Sequence, residues 1–514
     1  MSADACARQV RRAPRPGWLP VLAAAVGLCV VGFCSSPAAA TTLLDAIRLA
    51  YQNNPTLRSQ RAGLRATGEG YVQARSALGP QAALNATGGY SVARVQSGAT
   101  FPGARGADRT FRGTTGTGEL SIVQPLFNFG STNANIRATE ESYIAGEQDL
   151  RTAETDMIGK VITAYLDVRR DRESLAILRE ALANLNGEFQ ETKAKSELGS
   201  LTRTDSAEAE ARLLSMETQI DVAQGRLAAS SAAYVAVVGE PPGELAPPPP
   251  LAVLPASVQE AFAAATTSNA HIQAAVANER AARERINRAK SAYGPTLSLR
   301  FDAGVQPVQP YVPGIYDRNF TVTAVLSQPL FTSGMNASKV REAADRDSEA
   351  MLQIDVARRE VIQNLSQAWS QLTTTRTALD HAKREVEAYR IAVEGSQIEE
   401  RVGRRSIFEL LNNEVELATA RTSLAQTQHD EYLAEASVLA GMGLLEARYL
   451  TPGIALYDPA AELKKDLRYG AAPWEGLVGQ LNKALAPKTA APTGLTGRGP
   501  AEFGSPKAGS VDKP

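Results

Sequence analysis

A stripe of hydrophobic residues runs through the first half of the chain at helical spacing. Its members follow one another at intervals of three or four residues from Leu150 to Phe189, a period typical of an α-helix that packs against partners. No proline occurs in residues 131–238, and a single helix over residues 132–196 would be about 97 Å long. No globular domain is that thick. The pattern therefore predicts a helical hairpin whose second arm is residues 205–238.

The same pattern occurs a second time. The segment Gln124–Gly130 (QPLFNFG) recurs 204 residues later as Gln328–Gly334 (QPLFTSG), and the hydrophobic stripe after each motif keeps the same register. Gly199 and Gly403 have the same separation and predict turns between antiparallel helices. The second half is therefore predicted to contain a helical hairpin of its own, over residues 335–442.

Segments of alternating hydrophobic and polar residues precede each long helix. They predict one β-hairpin at residues 81–126 and another at residues 296–330. Strands of about ten residues with this period are typical of membrane β-strands. A half-buried sheet in a soluble protein has the same period, so the alternation alone leaves both interpretations open.

Four strands are too few to close a barrel. An open sheet edge is not tolerated in lipid, because its backbone groups find no water to bond. If these strands span a membrane, several chains must share one barrel; two chains would give a filled interior and three would leave a pore. The segments between the strands, residues 93–113 and 306–317, hold Gly, Pro and polar residues and predict loops at the outer surface.

The two ends and the centre of the chain differ in composition from the hairpins. The N-terminal segment has a basic region, an apolar stretch and small residues before Thr41, which predicts a secretory signal peptide cleaved before that residue. All three cysteines lie in this segment, so we expect no disulfide in the processed chain. A proline-rich segment between the two repeats predicts a stiff linker. The C-terminal segment is rich in Ala, Pro and Gly, which predicts a largely disordered tail. The predicted order is signal peptide, first repeat, linker, second repeat and tail, at residues 1–40, 41–245, 246–257, 258–450 and 451–514.

No catalytic constellation is evident in the chain. The formal net charge of −1 argues against a nucleic-acid binder, which would show a basic face. The three histidines, His271, His381 and His429, have no metal-ligand spacing, and we expect them on helix surfaces. We therefore predict no enzymatic activity, no cofactor and no metal site.

Charged residues lie beside both predicted helix turns, as Thr204-Asp205 in one hairpin and Arg404-Arg405 in the other. If the helices form a tube, such residues at its narrow end can hold it closed, although one exposed ion pair contributes only about 0.2–1 kcal/mol. A solvated surface without a gating role would have the same residues, so the charges alone leave both interpretations open.

Short motifs in a fixed order resemble those of the TolC-like outer-membrane factor family, over roughly residues 42–450. Each motif is short, but their order, spacing and duplication make the combination specific. The motifs are Asn53-Asn54-Pro55 with Leu57, Ala74–Pro80, Gln328–Phe331 with Gly334, Leu198-Gly199 with Thr204-Asp205, and Val402-Gly403 with Arg405.

The resemblance implies a mostly α-helical, internally duplicated protomer with four membrane β-strands. Three such protomers would form a twelve-stranded barrel in the outer membrane, on a helical tunnel (an α-barrel) through the periplasm. The resemblance also implies docking with a periplasmic adaptor, or membrane fusion, protein and with an inner-membrane ABC or RND pump that supplies the energy. The residues expected to meet the adaptor are Leu198, Gly199, Ser200, Val402, Gly403 and Arg404.

The resemblance further implies a gate at the tunnel tip. Asp205 and Arg405 match the positions of an ion pair in the family's closed state. Glu400 stands where the family pattern has a tyrosine; because a carboxylate cannot replace a phenol donor near Asp205, we expect Arg401 or Arg404 to compensate. The implied gate residues are Thr204, Asp205, Glu400 and Arg405.

The entrance of the tunnel departs from the family pattern as well. Where the family shows two aspartates per protomer, this chain has Glu409 and Asn412. A trimer would therefore carry half the family's entrance carboxylates, which implies a weaker cation site.

Two functional hypotheses from different classes follow. The first is a passive outer-membrane exit duct for type I secretion or multidrug efflux. The second is a soluble periplasmic coiled-coil adaptor. Adaptors have one helical hairpin between small β-domains, whereas this chain is predicted to have two hairpins and four strands.

Overall fold

A computed structural model describes most of the chain beyond the predicted signal peptide, which lies outside the described residues. The described residues are 41–96, 108–198, 202–251, 254–308, 314–402, 404–450, 455–467, 478 and 480. In chain order the elements are α1 (Leu43–Asn53), α2 (Pro55–Ser76), β1 (Gln81–Gln96), β2 (Asp108–Phe127), α3 (Ser131–Glu197), α4 (Arg203–Val238), α5 (Val258–Ser268), α6 (Ala270–Ser291), β3 (Thr296–Pro307), β4 (Tyr316–Ser327), α7 (Met335–Arg401), α8 (Ile407–Met442), α9 (Ala447–Leu450) and α10 (Pro459–Asp466).

Two pairs of long helices dominate the fold. Helices α3 and α7 have 67 residues each, and α4 and α8 have 36 each. At 1.5 Å per residue the longer helices are about 100 Å in length. Within each repeat the longer helix packs along the shorter one, which confirms the two predicted helical hairpins.

The duplication extends to the glycines at the helix ends. Gly130 and Gly334 precede α3 and α7 with φ of 85° and 82°, and Gly239 and Gly443 follow α4 and α8 with φ of 95° and 75°. Glycine adopts this left-handed conformation without the steric cost that a Cβ atom brings. Each pair is separated by 204 residues, the offset of the hairpins themselves.

Two equivalent asparagines tie the short helices of each repeat to its hairpin. The side chain of Asn54 caps α2, and its Nδ2 donates to the carbonyl oxygen of Val237 at 3.1 Å. The side chain of Asn269 caps α6, and its Nδ2 donates to the carbonyl oxygen of Gly441 at 2.9 Å. Both asparagines are buried, so a helix start and an inter-helix contact depend on one side chain in each repeat.

The hydrophobic core is thickest where the short helices meet the long ones. Tyr165 of α3 is fully buried there, and its hydroxyl oxygen lies 2.6 Å from the carbonyl oxygen of Ala246 and 2.9 Å from that of Thr41. A second cluster follows the hairpins away from the sheet and joins all four long helices, with Leu185 and Leu410 at its centre. The two repeats therefore share one continuous helical body.

The expectation that the histidines lie on helix surfaces is wrong for His429. Its side chain is buried between α8 and α3, with Nε2 2.9 Å from Asp167 and Nδ1 2.9 Å from Asp430. Burial disfavours the charged imidazolium, but the bonds to the two carboxylates outweigh this effect and raise the pKa of His429. No pattern in the sequence indicates this contact, because Asp167 belongs to the other repeat.

The strands form one antiparallel sheet in the order β1-β2-β3-β4. The outer edges of β1 and β4 have no strand partner among the described residues. One face of the sheet presents hydrophobic side chains to its surroundings, such as Leu84 at 75% exposure and Phe320 at 74%. The helices in the described ranges contain no stretch that is both apolar and long enough to cross a membrane.

The strands are longer than the alternation predicted. β1 continues to Gln96 and β2 begins at Asp108, so both enter the predicted loop at residues 93–113, while β3 and β4 each gain two residues. The Gly/Thr-rich part of β2, which includes Gly116 and Gly118, is weak in intrinsic strand propensity. Pairing with β1 from Asp108 to Val123, and with β3 from Gly118 onward, holds it extended.

Part of the predicted tail is ordered against the helical body. In residues 455–467 the carbonyl oxygen of Pro459 accepts a hydrogen bond from the hydroxyl of Tyr143 at 2.9 Å. The amide of Tyr457 donates to the hydroxyl oxygen of Tyr51 at 3.1 Å. Apart from residues 478 and 480, the remainder of the tail lies outside the described residues.

The repeat-equivalent glycines Gly443 and Gly239 offer a matched test of this packing. A Cβ atom on Gly443 would lie 2.6 Å from the carbonyl oxygen of Ser268, whereas one on Gly239 would meet nothing within 4 Å. Alanine at either position carries a left-handed strain of about 1–2 kcal/mol, and Gly443→Ala adds a backbone clash. We expect Gly443→Ala to lower the thermal midpoint of helix loss, followed by circular dichroism in detergent, more than Gly239→Ala. Equal losses would contradict this account.

Candidate functional site

Both helical hairpins turn at the end of the molecule remote from the sheet. We call this region the tip and define it as residues 188–214 and 393–414. α3 ends at Glu197 and α4 begins at Arg203, while α7 ends at Arg401 and α8 begins at Ile407. Of the predicted tip residues, Gly199, Ser200 and Gly403 lie outside the described residues.

The carboxylate of Asp205 is held in a helix cap. The hydroxyl of Thr202 accepts from the amide of Asp205 at 3.2 Å, and the amide of Thr202 donates to Oδ2 of Asp205 at 2.8 Å. This reciprocal pair is a capping box, which fixes the start of α4. Thr204, the other predicted gate residue in this turn, is exposed beside it. The Thr-x-x-Asp spacing was visible in the sequence and could have predicted the cap.

Arg405 contacts groups of its own hairpin. Its Nε lies 2.9 Å from Glu399 and 3.4 Å from Glu409, and its Nη1 donates to the hydroxyl of Ser396 at 3.2 Å. Among the described residues no ion pair joins Arg405 to Asp205. Within one protomer Arg405 therefore stabilises the α7–α8 turn.

Glu400 forms the ion pair that links the two hairpins at the tip. Its carboxylate lies 2.9 Å from Nζ of Lys195 on α3, and Lys195 also contacts Glu191 at 2.8 Å. Hydrogen bonds to Glu191 and then to Glu400 raise the pKa of Lys195, so the ammonium stays charged. The prediction that Arg401 or Arg404 compensates for Glu400 missed Lys195, which belongs to the other repeat.

The predicted entrance residues also have basic partners. Glu409 is exposed and shares Arg405 with Glu399. The side-chain oxygen of Asn412 accepts a hydrogen bond from Arg212, a residue of α4 that lies 3.3 Å from Glu208. Positive charge therefore lies next to both positions, which weakens the local negative potential.

The predicted docking residues are exposed wherever the structure describes them. Leu198 is 84% exposed and Val402 is 64% exposed, and Arg404 lies exposed between the second turn and α8. An apolar side chain thus stands beside each turn. Such exposure at the end of two hairpins is suited to contact with a partner.

A buried carboxylate behind the gate residues was missed by sequence reasoning. Glu414 of α8 is only 6% exposed, and its Oε2 has no hydrogen-bond partner among the described residues. Burial, followed by the charge of Glu188 on α3, raises its pKa to about 7, and a hydrogen bond with Gln397 on α7 opposes this shift. The signal was present in the sequence, since Glu414 interrupts a helical stripe that includes Leu410 and Ala418.

Comparison with known proteins places this geometry in a family. The family model described as "Outer membrane efflux protein" matches residues 46–240 and 262–444, which cover both repeats. The chain belongs to the outer membrane efflux protein family. The two matched segments divide at the Pro-rich linker, in agreement with the internal duplication.

Individual members of the outer membrane efflux protein family resemble the chain over most of its length. Outer membrane efflux protein BepC of Brucella suis is 29% identical over 452 residues, covering 88% of this chain and 96% of the relative. Outer membrane protein TolC of Vibrio cholerae is 24% identical, covering 81% and 93%. The crystal structure of the Campylobacter jejuni CmeC outer membrane channel superposes with a TM-score of 0.66 at 16% identity, covering 84% and 90%. The last comparison shows the fold.

These matches decide between the two functional hypotheses. The relatives are outer membrane efflux proteins, and the solved structure with the same fold is an outer membrane channel. The chain has the two helical hairpins and the four-stranded sheet that were predicted for the first hypothesis. The alternative of a soluble periplasmic adaptor is not supported. Within the described ranges no group of three or more His, Cys, Asp or Glu residues is placed to hold a metal ion.

Glu414 makes the stability of the tip depend on pH. In the unfolded chain a glutamate releases its proton near pH 4.5, whereas the folded chain holds the proton of Glu414 up to about pH 7. Folding therefore loses stability as the pH rises between these values. We expect Glu414→Gln to remove much of this slope and to raise stability at pH 8 by on the order of 2 kcal/mol.

The measurement is the thermal midpoint of unfolding in detergent at pH 5, 6, 7 and 8. Glu416→Gln is the matched control, because Glu416 is exposed on the same helix. A slope that survives in Glu414→Gln, or that disappears equally in Glu416→Gln, would refute the assignment.

Proposed function

We propose that this chain is the outer-membrane exit duct of a tripartite system for type I secretion or multidrug efflux. In this role three copies form a passive channel, with a shared β-barrel in the membrane and a helical tunnel in the periplasm. The channel only conducts, and a pump in the inner membrane supplies the energy.

The observation that carries this proposal is the open four-stranded sheet. Within the part of the chain that the structure describes, β1 and β4 leave their outer edges unpaired, and one face of the sheet is hydrophobic and exposed. In lipid each unpaired backbone group costs several kcal/mol, so these edges require neighbouring copies. Closure by three copies gives twelve strands, enough to leave a pore.

The exposed side of α7 supports the same assembly. Hydrophobic side chains lie exposed along it from Leu352 to Ile398, including Ile362 and Ile391. α8 and α6 cover the other sides of this helix. A neighbouring protomer that pairs strands with β4 would also cover this surface, because α7 follows β4 directly.

We assign the tip as the docking site for a periplasmic adaptor. Leu198 and Val402 provide an exposed apolar contact on each hairpin, and Arg404 provides a charge beside the second. From the family resemblance we also assign to this site Gly199, Ser200 and Gly403. In this proposal the pump is an ABC or RND protein. The adaptor contacts both the pump and the tip, and through this contact it would act on the gate.

We assign the gate to Thr204, Asp205, Arg405 and Glu400. Asp205 and Arg405 each have partners within their own hairpin, so their mutual ion pair would be made across the closed tip of the assembled tunnel. Glu400 contributes through Lys195, which holds the two hairpins of one protomer together. Glu409 and Asn412 line the entrance, and three copies of Glu409 form a ring whose charge Arg405 partly offsets.

The contacts of Thr41 support cleavage before this residue. The amide of Thr41 donates to the carbonyl oxygen of Glu244 at 2.7 Å, and its own carbonyl oxygen accepts from the amide of Ala246 at 3.2 Å. Thr42 then caps α1. The processed N-terminus would therefore be fixed against the linker.

The first test is the mass and location of the processed protein. We expect a homotrimer that begins at Thr41 and fractionates with the outer membrane, because the open sheet edges require closure. Light scattering with the detergent contribution subtracted gives the mass, and N-terminal sequencing gives the start. A monomer released by osmotic shock without detergent would overturn the proposal.

The second test concerns the gate. We expect Arg405→Ser to raise the resting conductance of the channel in planar bilayers, because it removes three contacts of the α7–α8 turn and the partner proposed for Asp205. Arg404→Ser is the matched control, since it removes the same charge from the adjacent position. Equal resting conductance in the Arg405→Ser variant and the parent would show that Arg405 has no gating role.

A further inference from the structure

The two β-hairpins of the sheet have the same register. Gln81 lies opposite Val123 in the first hairpin, and Thr296 lies opposite Ser327 in the second. Equivalent positions are 215 residues apart in β1 and β3 and 204 residues apart in β2 and β4. These offsets relate the first pair directly to the second, so the duplication of the sequence extends to the pairing of the strands.

The contacts at the helix-facing end of the strands are duplicated as well. Nε2 of Gln124 donates to the carbonyl oxygen of Leu78 at 2.9 Å, and Nε2 of Gln328 donates to that of Tyr293 at 2.9 Å. Leu78 and Tyr293 each precede a Gly-Pro pair at the start of a hairpin. Each repeat therefore ties the end of its second strand to the start of its first.

The second strands of the two hairpins nevertheless end at different positions. β2 ends at Phe127, whereas β4 ends at Ser327, four residues before Phe331, the equivalent of Phe127. The last part of β2 pairs with β3. Among the described residues no strand pairs with residues 328–331, and Phe331 is 87% exposed. The end of β4 therefore lacks a neighbour of the kind that β3 provides for β2.

We propose that β4 of one copy pairs with β1 of a second copy in the register that β2 keeps with β3. Within the chain Val123 lies opposite Arg300. The repeat offsets convert this pair into Ser327 opposite Asn85 of the partner subunit, and pairing beyond Ser327 extends β4 toward the length of β2. This inference rests on the proposed function, because it requires copies of the chain that share one sheet.

This register keeps the two faces of the sheet continuous between copies. It places Leu326, on the hydrophobic face, opposite Ala86 of the partner subunit, as Ile122 lies opposite Phe301 within the chain. A shift of one residue would bring Leu326 opposite Thr87 of the partner subunit and turn one strand's hydrophobic positions to the polar face. The hydrophobic pattern therefore excludes odd shifts, and the duplication selects one register among the even ones.

A glycine at the junction of β2 and β3 shows how closely the two hairpins approach each other. The ring of Phe129 lies so near Gly294 that a Cβ atom on this glycine would overlap it. The equivalent residues, Ser333 and Gly79, face each other between copies in the proposed register. A Cβ atom on Gly79 would meet, among the described residues, only the carbonyl oxygen of Ser76 at 3.4 Å. The space beside Gly79 is therefore open to a partner.

The first test is disulfide cross-linking of the full-length protein in detergent. All native cysteines lie in residues 1–40, so introduced cysteines are the only ones in the processed chain. Ser327→Cys is combined with Asn85→Cys and, as matched controls, with Ala83→Cys or Thr87→Cys on the same face. Opposite Cα atoms are about 4.5–5.5 Å apart, within disulfide range, whereas a shift of two residues adds roughly 7 Å along the strand. We expect covalent trimers in a denaturing gel for Asn85→Cys/Ser327→Cys and monomers for both controls.

The second test fills the open space beside Gly79. We expect Ser333→Phe to raise the temperature at which the trimer dissociates into monomers, because the ring would lie against Gly79 of the partner subunit as Phe129 lies against Gly294. The new side chain suits the backbone, since Phe129 and Ser333 have φ of 52° and 48°. Gly79→Ala is the matched background, because its Cβ atom makes only an ordinary contact within one chain. The gain should disappear in Gly79→Ala/Ser333→Phe.

The outcomes separate the register from the proposed function. Cross-linking of Ser327→Cys through Ala83→Cys or Thr87→Cys, or through none of the three positions in an intact trimer, would overturn the register. If the cysteine variants do not form trimers, Ser333→Phe decides: a gain that Gly79→Ala removes supports the register, and an unchanged dissociation temperature overturns it. A parent chain that is not a trimer would instead refute the proposed function itself.

Discussion

The length of α3 and α7 is the constraint on which the rest of the structure depends. A helix of 67 residues cannot be covered by one compact core, so it must find partners along its whole length. The second arm of each hairpin covers one side of its long helix, α6 and α8 of the second repeat cover a further side of α3, and exposed hydrophobic residues remain on α7. Part of the surface of α7 therefore stays apolar and exposed in a single chain.

Duplication provides matching surfaces for this packing. The glycine caps and the two asparagines that tie short helices to hairpins occur at equivalent positions in both repeats. The repeats also differ at the tip. Lys195 pairs with Glu400 across the repeats, and Asp205 caps its helix while Arg405 braces the other turn. The two repeats therefore share their helix ends and inter-helix contacts, but the side-chain contacts at their two turns are different.

Two ionisable side chains lie inside the helical body. Glu414 and His429 are both buried, but their surroundings shift the balance of charge in opposite ways. Glu414 lies near the carboxylate of Glu188 and favours its neutral form, whereas His429 lies between two aspartates and favours its charged form. Acidification would therefore strengthen both contacts, one by removing a repulsion and the other by adding an attraction.

Periodicity in the sequence determined the helical hairpins, the duplication and the presence of four strands, because helix and strand periods are local properties of the chain. The turn glycines located the tip, and the short family motifs identified the residues that lie in it. The tertiary structure alone decided which residues meet there, since Lys195 with Glu400 and Asp167 with His429 are more than 200 residues apart. It likewise decided that the Gly/Thr-rich part of β2 is a strand, because pairing with its neighbours holds extended a segment whose own propensity is weak.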